Sequence, residues 1–145
     1  MFFQGIVNSG AIPAMEKMLA FTEARHRMLA ENVANVDTPG YKTKHLDPQA
    51  FQQALRTALD EKNETRSAEF RLPSTSEFRQ DESGRLEVSP EVEPAENLLF
   101  HDQTNMRIER QMAMVAENAM MHETVPELLR GRFQGLLKAI RGQVM

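Results

Sequence analysis

The sequence contains no cysteine and no tryptophan, and it has a single tyrosine in 145 residues. Without cysteine there is no thiol nucleophile, and the chain fits a reducing or an oxidising compartment equally well. The H-E-x-x-H pattern of zinc proteases and the glycine-rich loop that binds phosphates are also absent. These absences argue against the common classes of enzyme, so no catalytic residue, metal or cofactor is expected.

Long apolar runs and a basic excess are missing as well. No stretch approaches the roughly 18 consecutive apolar residues that a membrane-spanning helix needs. The beginning of the chain, MFFQGIVNSG, lacks the basic start and apolar core of a cleaved secretory signal peptide. The net charge of −4 argues against a nucleic-acid partner, which requires a basic surface. We therefore expect neither a direct membrane span nor nucleic-acid binding.

What the sequence does contain is methionine, with ten residues, and an uneven distribution of charge. Many methionines and few aromatic residues predict helix contacts filled with flexible side chains, without a dense core. Residues 1–46 carry a net charge of +1, residues 47–103 carry −7 and residues 104–145 carry +2. These ranges are predicted to be an N-terminal segment, an acidic middle segment and a C-terminal segment. By charge, the two terminal segments are similar to each other and differ from the middle segment.

A heptad pattern predicts a long helix over residues 13–36, with Pro13 at its first position. Mostly apolar residues recur at alternating intervals of three and four, which is the spacing of a coiled-coil seam. The series consists of Ile12, Met15, Leu19, Thr22, His26, Leu29, Val33 and Val36.

This helix is predicted to stop within the stretch LAENVANVDTPGYK. A proline disfavours helical geometry in the residue before it, and Gly40 supplies the positive φ that a type II turn needs. The short amides of Asn32 and Asn35 are expected to cap the last free carbonyl groups of the helix. The predicted turn consists of Asn32, Asn35, Asp37, Thr38, Pro39, Gly40 and Tyr41.

The middle segment begins with Asp47 and Pro48, which are typical of a helix start, and a short helix is predicted to about Asp60. From residue 61 to residue 101 the pattern weakens. Apolar residues alternate with charged ones around residues 70–72 and 86–88, so a small hairpin closed by Ser83-Gly84 is one interpretation. An acidic flexible insert is the other.

A second heptad series predicts a long helix from about residue 104 to residue 141. Pro126 falls inside this series, and it either kinks one helix or separates two, with the second starting at Thr124. We favour a kinked helix because the heptad register continues across the proline. The fold is predicted to be mainly α. Two long terminal helices form an antiparallel, coiled-coil-like pair, with a short helix and a flexible or small β insert between them.

In such a pair, each terminal helix would bury only one stripe of apolar side chains along its length. The remaining apolar positions therefore predict contacts with other copies or other chains. The four histidines lie on four different segments, and none is expected to bind a metal. Helix pairing and assembly are assigned to Met15, Leu19, Leu29, Val33, Val36, Ile108, Met112, Val115, Leu129, Phe133, Leu136 and Ile140.

The stretch from Asn32 to Lys42 resembles the N-terminal signature of bacterial flagellar axial proteins, the rod, hook and hook-filament proteins. Its form N-x-x-N-x-D-T-P-G-Y-K is similar to that of proximal rod proteins of the flagellar basal body. The C-terminal stretches 106–118 and 128–140 are similar to the closing helix of that family. The resemblance covers residues 1–60 and 95–142, and it departs from the family at Pro126 and in the acidic segment 61–94.

The resemblance implies a structural subunit of the rod, located in the periplasm as part of the flagellar basal body. It implies export by the flagellar type III apparatus, without a cleaved signal peptide, and assembly through the terminal helices. The implied partners are other copies, other flagellar rod proteins, the MS-ring adaptor and the flagellar export-gate proteins.

Three other interpretations remain open from the residues alone. The first is a soluble helical adaptor that pairs with a single partner protein. The second is a metal-dependent hydrolase that uses His101, Asp102 and His122. The third is a protein that acts on peptidoglycan, although the sequence offers no recognisable buried acid with a partner for such hydrolysis.

Overall fold

The computed structural model describes residues 12–65, 70–93 and 103–142. These residues form mostly helix with small antiparallel strand pairs, as predicted, and residues 70–93 take the β interpretation in place of the flexible insert. In chain order the elements are α1 (Ile12–Ala34), β1 (Lys44–His45), α2 (Pro48–Thr65), β2 (Phe78–Gln80), β3 (Leu86–Val88), β4 (Glu91–Val92) and α3 (Gln103–Ile140).

The two long helices, α1 and α3, lie side by side in opposite directions. Hydrogen bonds join them at several levels, and the residue numbers fall along α3 as they rise along α1. With 23 and 38 residues, α1 and α3 are about 35 Å and 57 Å long, so α3 extends well beyond its neighbour. The bonded pairs are Thr22 with His122, Arg25 with Glu117 and Asn32 with Gln111.

Pro126 lies inside α3, which continues through it as one helix. The alternative of two helices with a fresh start at Thr124 is therefore wrong. The Thr124 hydroxyl donates to the carbonyl oxygen of Met120 at 2.7 Å, one turn earlier, so it does not cap a new helix. Such a bond back to the preceding turn is available to threonine within a continuing helix.

A cluster of three phenylalanines from three different elements forms the centre of the core. The rings of Phe21 in α1 and Phe51 in α2 are stacked, with centroids 4.0 Å apart and an interplanar angle of 3°. Phe78 of β2 lies edge-on to both rings, with centroid distances of 6.4 Å and 5.2 Å. The prediction of helix contacts without a dense core is thus wrong. Eight phenylalanines are few, but three of them converge, and each such aromatic pair contributes about 0.5–1.5 kcal/mol beyond its area burial.

The short helix of the middle segment begins as predicted but ends later. The Asp47 carboxylate accepts a hydrogen bond from the Gln49 N–H at 2.8 Å, so Asp47 caps α2 and Pro48 is its first residue. The helix continues to Thr65, beyond the predicted end near Asp60. Its last turn is exposed and polar, and good helix formers such as Glu61 and Lys62 extend it without burying apolar surface.

Strands β2 and β3 form a hairpin, but its first arm differs from the predicted one. Phe78 pairs with Val88, and Gln80 pairs with Leu86. The turn between them contains Gly84 at a φ of +81°, so the predicted closing position is confirmed. The predicted first arm at residues 70–72 is wrong, because residues 78–80 are the ones that pair with β3, and a loop of only five residues, 81–85, joins the two strands.

Strands β1 and β4 bring the two ends of the middle segment together. They pair in antiparallel fashion, with Lys44 opposite Val92 and His45 opposite Glu91. The chain between them, which contains α2 and the hairpin, therefore leaves and rejoins the helix pair at one place. Among the helices that the structure describes, none has both the length and the apolar character needed to cross a bilayer.

Candidate functional site

The interface between α1 and α3 carries a row of buried polar groups. Asn118 is fully buried, and its side-chain N–H donates to the carbonyl oxygen of Thr22 at 2.9 Å. The Thr22 hydroxyl lies 3.0 Å from Nδ1 of His122 and donates to the carbonyl oxygen of Leu19 at 3.0 Å. Because buried polar groups are costly unless they are paired, these bonds specify one register of the two helices.

Arg25 is the buried charge of this interface. Only 3% of the residue is exposed, and its Nη2 lies 3.1 Å from the Glu117 carboxylate, whose side chain is about half exposed. Nε and Nη1 of Arg25 have no hydrogen-bond partner in the described part of the chain. The pair is buried on the arginine side only, so loss of Glu117 would leave the Arg25 charge buried without a partner, which is costly.

The predicted turn follows directly from the end of α1. The side-chain N–H of Asn35 donates to the carbonyl oxygen of Glu31 at 2.9 Å, as expected for a group that caps the helix end. The Tyr41 N–H donates to the Thr38 carbonyl oxygen at 3.2 Å, and Gly40 between them has a φ of +77°. This is the positive φ at the third turn position that the sequence predicts.

Asn32 has a different role from the predicted one. Its Nδ2 donates to the carbonyl oxygen of Lys44 at 2.8 Å, and its Oδ1 accepts the Lys44 N–H at 3.0 Å. The same Oδ1 accepts the Tyr41 hydroxyl at 3.0 Å. The prediction that Asn32 caps its own helix is therefore wrong. The amide bonds the main chain of β1 instead, since the turn brings Lys44 back beside it.

Glu31 and Lys44 form an ion pair beside this contact. The Lys44 ammonium lies 2.7 Å from the Glu31 carboxylate, and this hydrogen bond raises the pKa of Lys44. Burial raises the pKa of the Tyr41 phenol, and the negative charge of Glu31 raises it further. Tyr41 therefore stays protonated at neutral pH and remains a hydrogen-bond donor to Asn32.

The predicted pairing residues of the N-terminal segment lie at different depths. Met15 and Leu29 are buried, whereas Leu19 and Val33 are half-buried on the edge of the interface. Val36 lies in the turn after α1 and is also half-buried. The buried stripe of α1 therefore follows the Met15 row of the heptad series, and the Leu19 row lies at its edge.

The predicted pairing residues of the C-terminal segment fall into two groups. Ile108, Val115 and Leu129 are half-buried. Met112, Phe133 and Ile140 are exposed, with 55%, 51% and 81% of their surfaces accessible. The side chain of Leu136 lies outside the described residues. The second group belongs to the surface of the isolated chain.

The buried polar residues Arg25, Gln111 and Asn118 were missed in the sequence. Each lies seven residues from another buried position, as in Met18, Arg25 and Asn32 on α1 and in Gln111, Asn118 and Val125 on α3. The seven-residue interval was therefore the available signal. It was obscured because polar side chains are normally assigned to the solvent side.

The described residues do not form a recognisable catalytic site. They contain no group of three or more His, Cys, Asp or Glu side chains that could hold a metal. The nearest approach to a nucleophile and a base is the contact of Thr22 with His122, but Thr22 is fully buried between the helices. His101 and Asp102, named for the hydrolase interpretation, lie outside the described residues.

Comparison with known proteins confirms the resemblance to the flagellar basal body rod protein family. The chain is 26% identical over 129 residues to the flagellar basal body rod protein FlgB of Aeromonas hydrophila, covering 86% of this chain and 88% of that one. It is 24% identical over 134 residues to FlgB of Bacillus subtilis, covering 92% and 95%. It is 28% identical over 132 residues to FlgB of Aquifex aeolicus, covering 88% and 90%.

No family model matches the chain, and no solved structure matches it. The similarity to these relatives extends through the middle segment as well as the two terminal segments, since about nine-tenths of each chain is aligned.

Proposed function

We propose that this chain is a structural subunit of the bacterial flagellar basal body, in the proximal rod. It contributes to the drive shaft across the periplasm and catalyses no reaction. The observation that carries this proposal is the similarity along nearly the whole chain to proteins named as flagellar basal body rod proteins. The absence of any recognisable catalytic arrangement in the described residues is consistent with a structural role.

The terminal helices act as a coiled-coil-like pair in this proposal, with residues 1–46 and 104–145 as the axial core and residues 47–103 as an appended middle segment. The antiparallel contacts between α1 and α3 support it. Buried residues recur at seven-residue intervals on both helices, which is the periodicity of coiled-coil packing. The Asn32 contact with Lys44 then attaches the middle segment to this core.

Polymerisation uses the part of α3 that extends beyond α1. Phe133 and Ile140 are exposed there, and such large apolar side chains are stabilised when a neighbouring subunit covers them. Contacts between different surfaces of neighbouring copies can build open helical assemblies, which contacts of one surface with itself in a two-fold dimer do not. The other residues assigned to helix pairing and assembly are Met15, Leu19, Leu29, Val33, Val36, Ile108, Met112, Val115, Leu129 and Leu136.

The family resemblance also supports a set of partners and a location. The proposed partners are other copies, other flagellar rod proteins, the MS-ring adaptor and the export-gate proteins. The proposed location is the periplasmic rod, reached by type III export without a cleaved signal peptide. The turn residues from Asn32 to Tyr41 hold the junction between α1 and the middle segment during assembly.

A deletion and complementation experiment tests the function. The gene is removed from the flagellated bacterium that carries it, and basal bodies are isolated from the deletion strain and from the strain complemented with the intact chain. The expected result is loss of rods and of swimming on deletion and recovery of both on complementation, with the chain present in isolated basal bodies. Normal rods in the deletion strain would refute the proposal.

The alternative is a soluble adaptor that pairs with a single partner protein. The paired, hydrogen-bonded helices of one chain are compatible with it. The two functions differ in the assembly that they produce, because an adaptor stops at a defined stoichiometry. Recovery of the chain in a small complex of fixed size, and its absence from basal bodies, would favour the adaptor.

A further inference from the structure

Helix α3 carries two separate apolar surfaces that nothing covers in the described part of the chain. The first, which we call the methionine face, consists of Met112, Ala116 and Met120, and the two methionines are 55% and 65% exposed. Their spacing of four residues places them on one side of the helix. The second, which we call the basic end, contains Phe133, Leu137 and Ile140, which are 51%, 51% and 81% exposed.

The two surfaces have similar lengths. At 1.5 Å per residue, the methionine face extends for about 12 Å and the apolar residues of the basic end for about 10.5 Å. Ala116 at the middle of one and Leu137 near the middle of the other are about 31 Å apart along the helix. Since both lie on one continuous helix, a single chain cannot bring the two surfaces together.

The charges that border the two surfaces are mostly opposite in sign. Two cations, Arg107 and Arg110, also precede the methionine face, and Arg110 lies 3.5 Å from the Glu93 carboxylate. Glu109 comes three residues before Met112 and Glu123 three residues after Met120, so exposed carboxylates stand at both ends of the methionine face. From residue 128 to residue 142 the chain contains no acidic residue. It carries four cationic side chains, which are Arg130, Arg132, Lys138 and Arg141.

The cations of the basic end are placed like the acids of the methionine face. Arg130 comes three residues before Phe133, and Arg141 comes four residues after Leu137, so both border the exposed apolar residues. Arg130 also lies 3.5 Å from the exposed Glu127 carboxylate, so an acid of a second copy competes with that weak surface pair. The methionine face and the basic end are therefore similar in length, and acids border the first where cations border the second.

We propose that the basic end of one copy docks on the methionine face of a second copy. This inference rests on the proposed function and identifies the contact between neighbouring subunits. Each copy then presents one surface to the copy before it and the other to the copy after it. Because the two surfaces differ, the contact is heterologous, which excludes a closed two-fold dimer and allows a helical assembly to propagate.

Apolar burial supplies the attraction in this contact, and the opposite charges select the partner surface. Methionine side chains are flexible, so Met112 and Met120 can adapt to the larger ring of Phe133. The charge pattern also disfavours the symmetric contacts of either surface with itself, because those would bring like charges together.

Engineered cysteines test this contact directly, because the natural chain contains none. Ala116→Cys and Leu137→Cys are made separately, in full-length chains of different tag size, and mixed under mild oxidation. Both residues are exposed, so neither change disturbs the core. The expected product is a mixed disulfide dimer. A chain with both substitutions should form a ladder of dimers, trimers and larger products.

In the matched control, a chain with Gln53→Cys is used in place of the chain with Leu137→Cys or the chain with Ala116→Cys. Gln53 is exposed on α2, outside both surfaces. Mixed dimers that form no better with the proposed pair than with this control would overturn the proposal. So would preferential dimers of one single-cysteine variant with itself. Adding Glu109→Lys and Glu123→Lys to the Ala116→Cys chain should lower the yield of mixed dimer about twofold to fivefold for each lost charge pair.

A basic, apolar helix end also has the chemistry to bind an anionic lipid surface. Vesicles of phosphatidylcholine with phosphatidylserine are therefore added to the cysteine mixture and sedimented. Binding that depends on Leu137, together with cross-linking at the control level, would overturn subunit docking in favour of a lipid surface. Restoration of rods by the intact chain, combined with such a cross-linking failure, would leave the proposed function standing and reject only this contact.

Discussion

The side-chain amide of Asn32 hydrogen-bonds both main-chain polar groups of Lys44, donating to its carbonyl oxygen at 2.8 Å and accepting from its N–H at 3.0 Å. An asparagine side chain thus pairs with β1 in the way that a neighbouring strand would. Asn32 is 3% exposed, so these bonds are shielded from water while the side chain is in place. The contact links the end of α1 to the start of the middle segment across the Pro39-Gly40 turn.

Replacing this amide should therefore cost more than replacing its neighbour. Asn32→Ala leaves the Lys44 main chain without its partners, and we expect a loss of about 1–3 kcal/mol in the free energy of unfolding. Asn35→Ala removes one exposed helix-end bond and should cost about 0.5–1 kcal/mol. Urea denaturation of the two variants measures both values. Equal losses would contradict the role assigned to Asn32.

Two glycines should respond in opposite ways to alanine. Gly40 has a φ of +77°, which is unfavourable for alanine although there is space for a methyl group, so Gly40→Ala should destabilise the chain by about 1 kcal/mol. Gly131 lies within α3, also with open space around it, and Gly131→Ala should stabilise by about 0.5–1 kcal/mol. Thermal unfolding gives the sign of each change, and a stabilising Gly40→Ala would contradict the turn geometry.

The aromatic core makes a further comparison possible between two phenylalanines. Phe51 is 1% exposed and stacked on Phe21, so Phe51→Ala should cost about 3–5 kcal/mol in unfolding free energy. Phe133 is 51% exposed, and Phe133→Ala should change this free energy by less than about 0.5 kcal/mol. Guanidinium denaturation distinguishes the two. A small loss for Phe51→Ala would mean that the middle segment is not part of the core.

The hairpin turn should make stability depend on acid pH through Asp81. The Ser83 hydroxyl, at 2.7 Å, and the Arg85 N–H hold the pKa of the Asp81 carboxyl below its usual value. A folded-state pKa below the unfolded one adds stability above the unfolded pKa, and this stability is lost as the pH falls through the folded pKa. Asp81→Asn should therefore be less stable than the natural chain at neutral pH, and the difference should shrink in acid. A difference that is constant with pH would exclude this linkage.

The long helices could be predicted because their signals are local. The heptad spacing, the proline and glycine at positions 39 and 40, and the Asp47 cap each act over a few residues. The two long helices, the turn and the capped start of α2 are all present in the structure. The buried face of α1 is less simple, because the helix contacts α3 on one side and the phenylalanine cluster on another. Its buried stripe therefore includes Phe21 and Arg25 as well as the Met15 row.

The contacts between distant residues could not be predicted in the same way. The phenylalanine cluster joins residues 21, 51 and 78, and no short-range pattern relates those positions. The first hairpin strand has a single buried apolar residue, Phe78, so alternation alone does not reveal it. Arg25 and Asn118 appear in the sequence as solvent positions, and only the partners that α3 and α1 supply to each other explain their burial.

In the proposed function, the exposed end of α3 assembles the rod. The most direct test is the basal-body content of a deletion strain complemented with Leu137→Asp, beside Gln53→Asp as an exposed control on α2. We expect Leu137→Asp to keep its unfolding free energy within about 0.5 kcal/mol of the natural chain yet to be absent from isolated basal bodies, with no swimming. The Gln53→Asp chain should assemble normally. Normal incorporation of Leu137→Asp, with full swimming, would show that the exposed end of α3 is not needed for assembly.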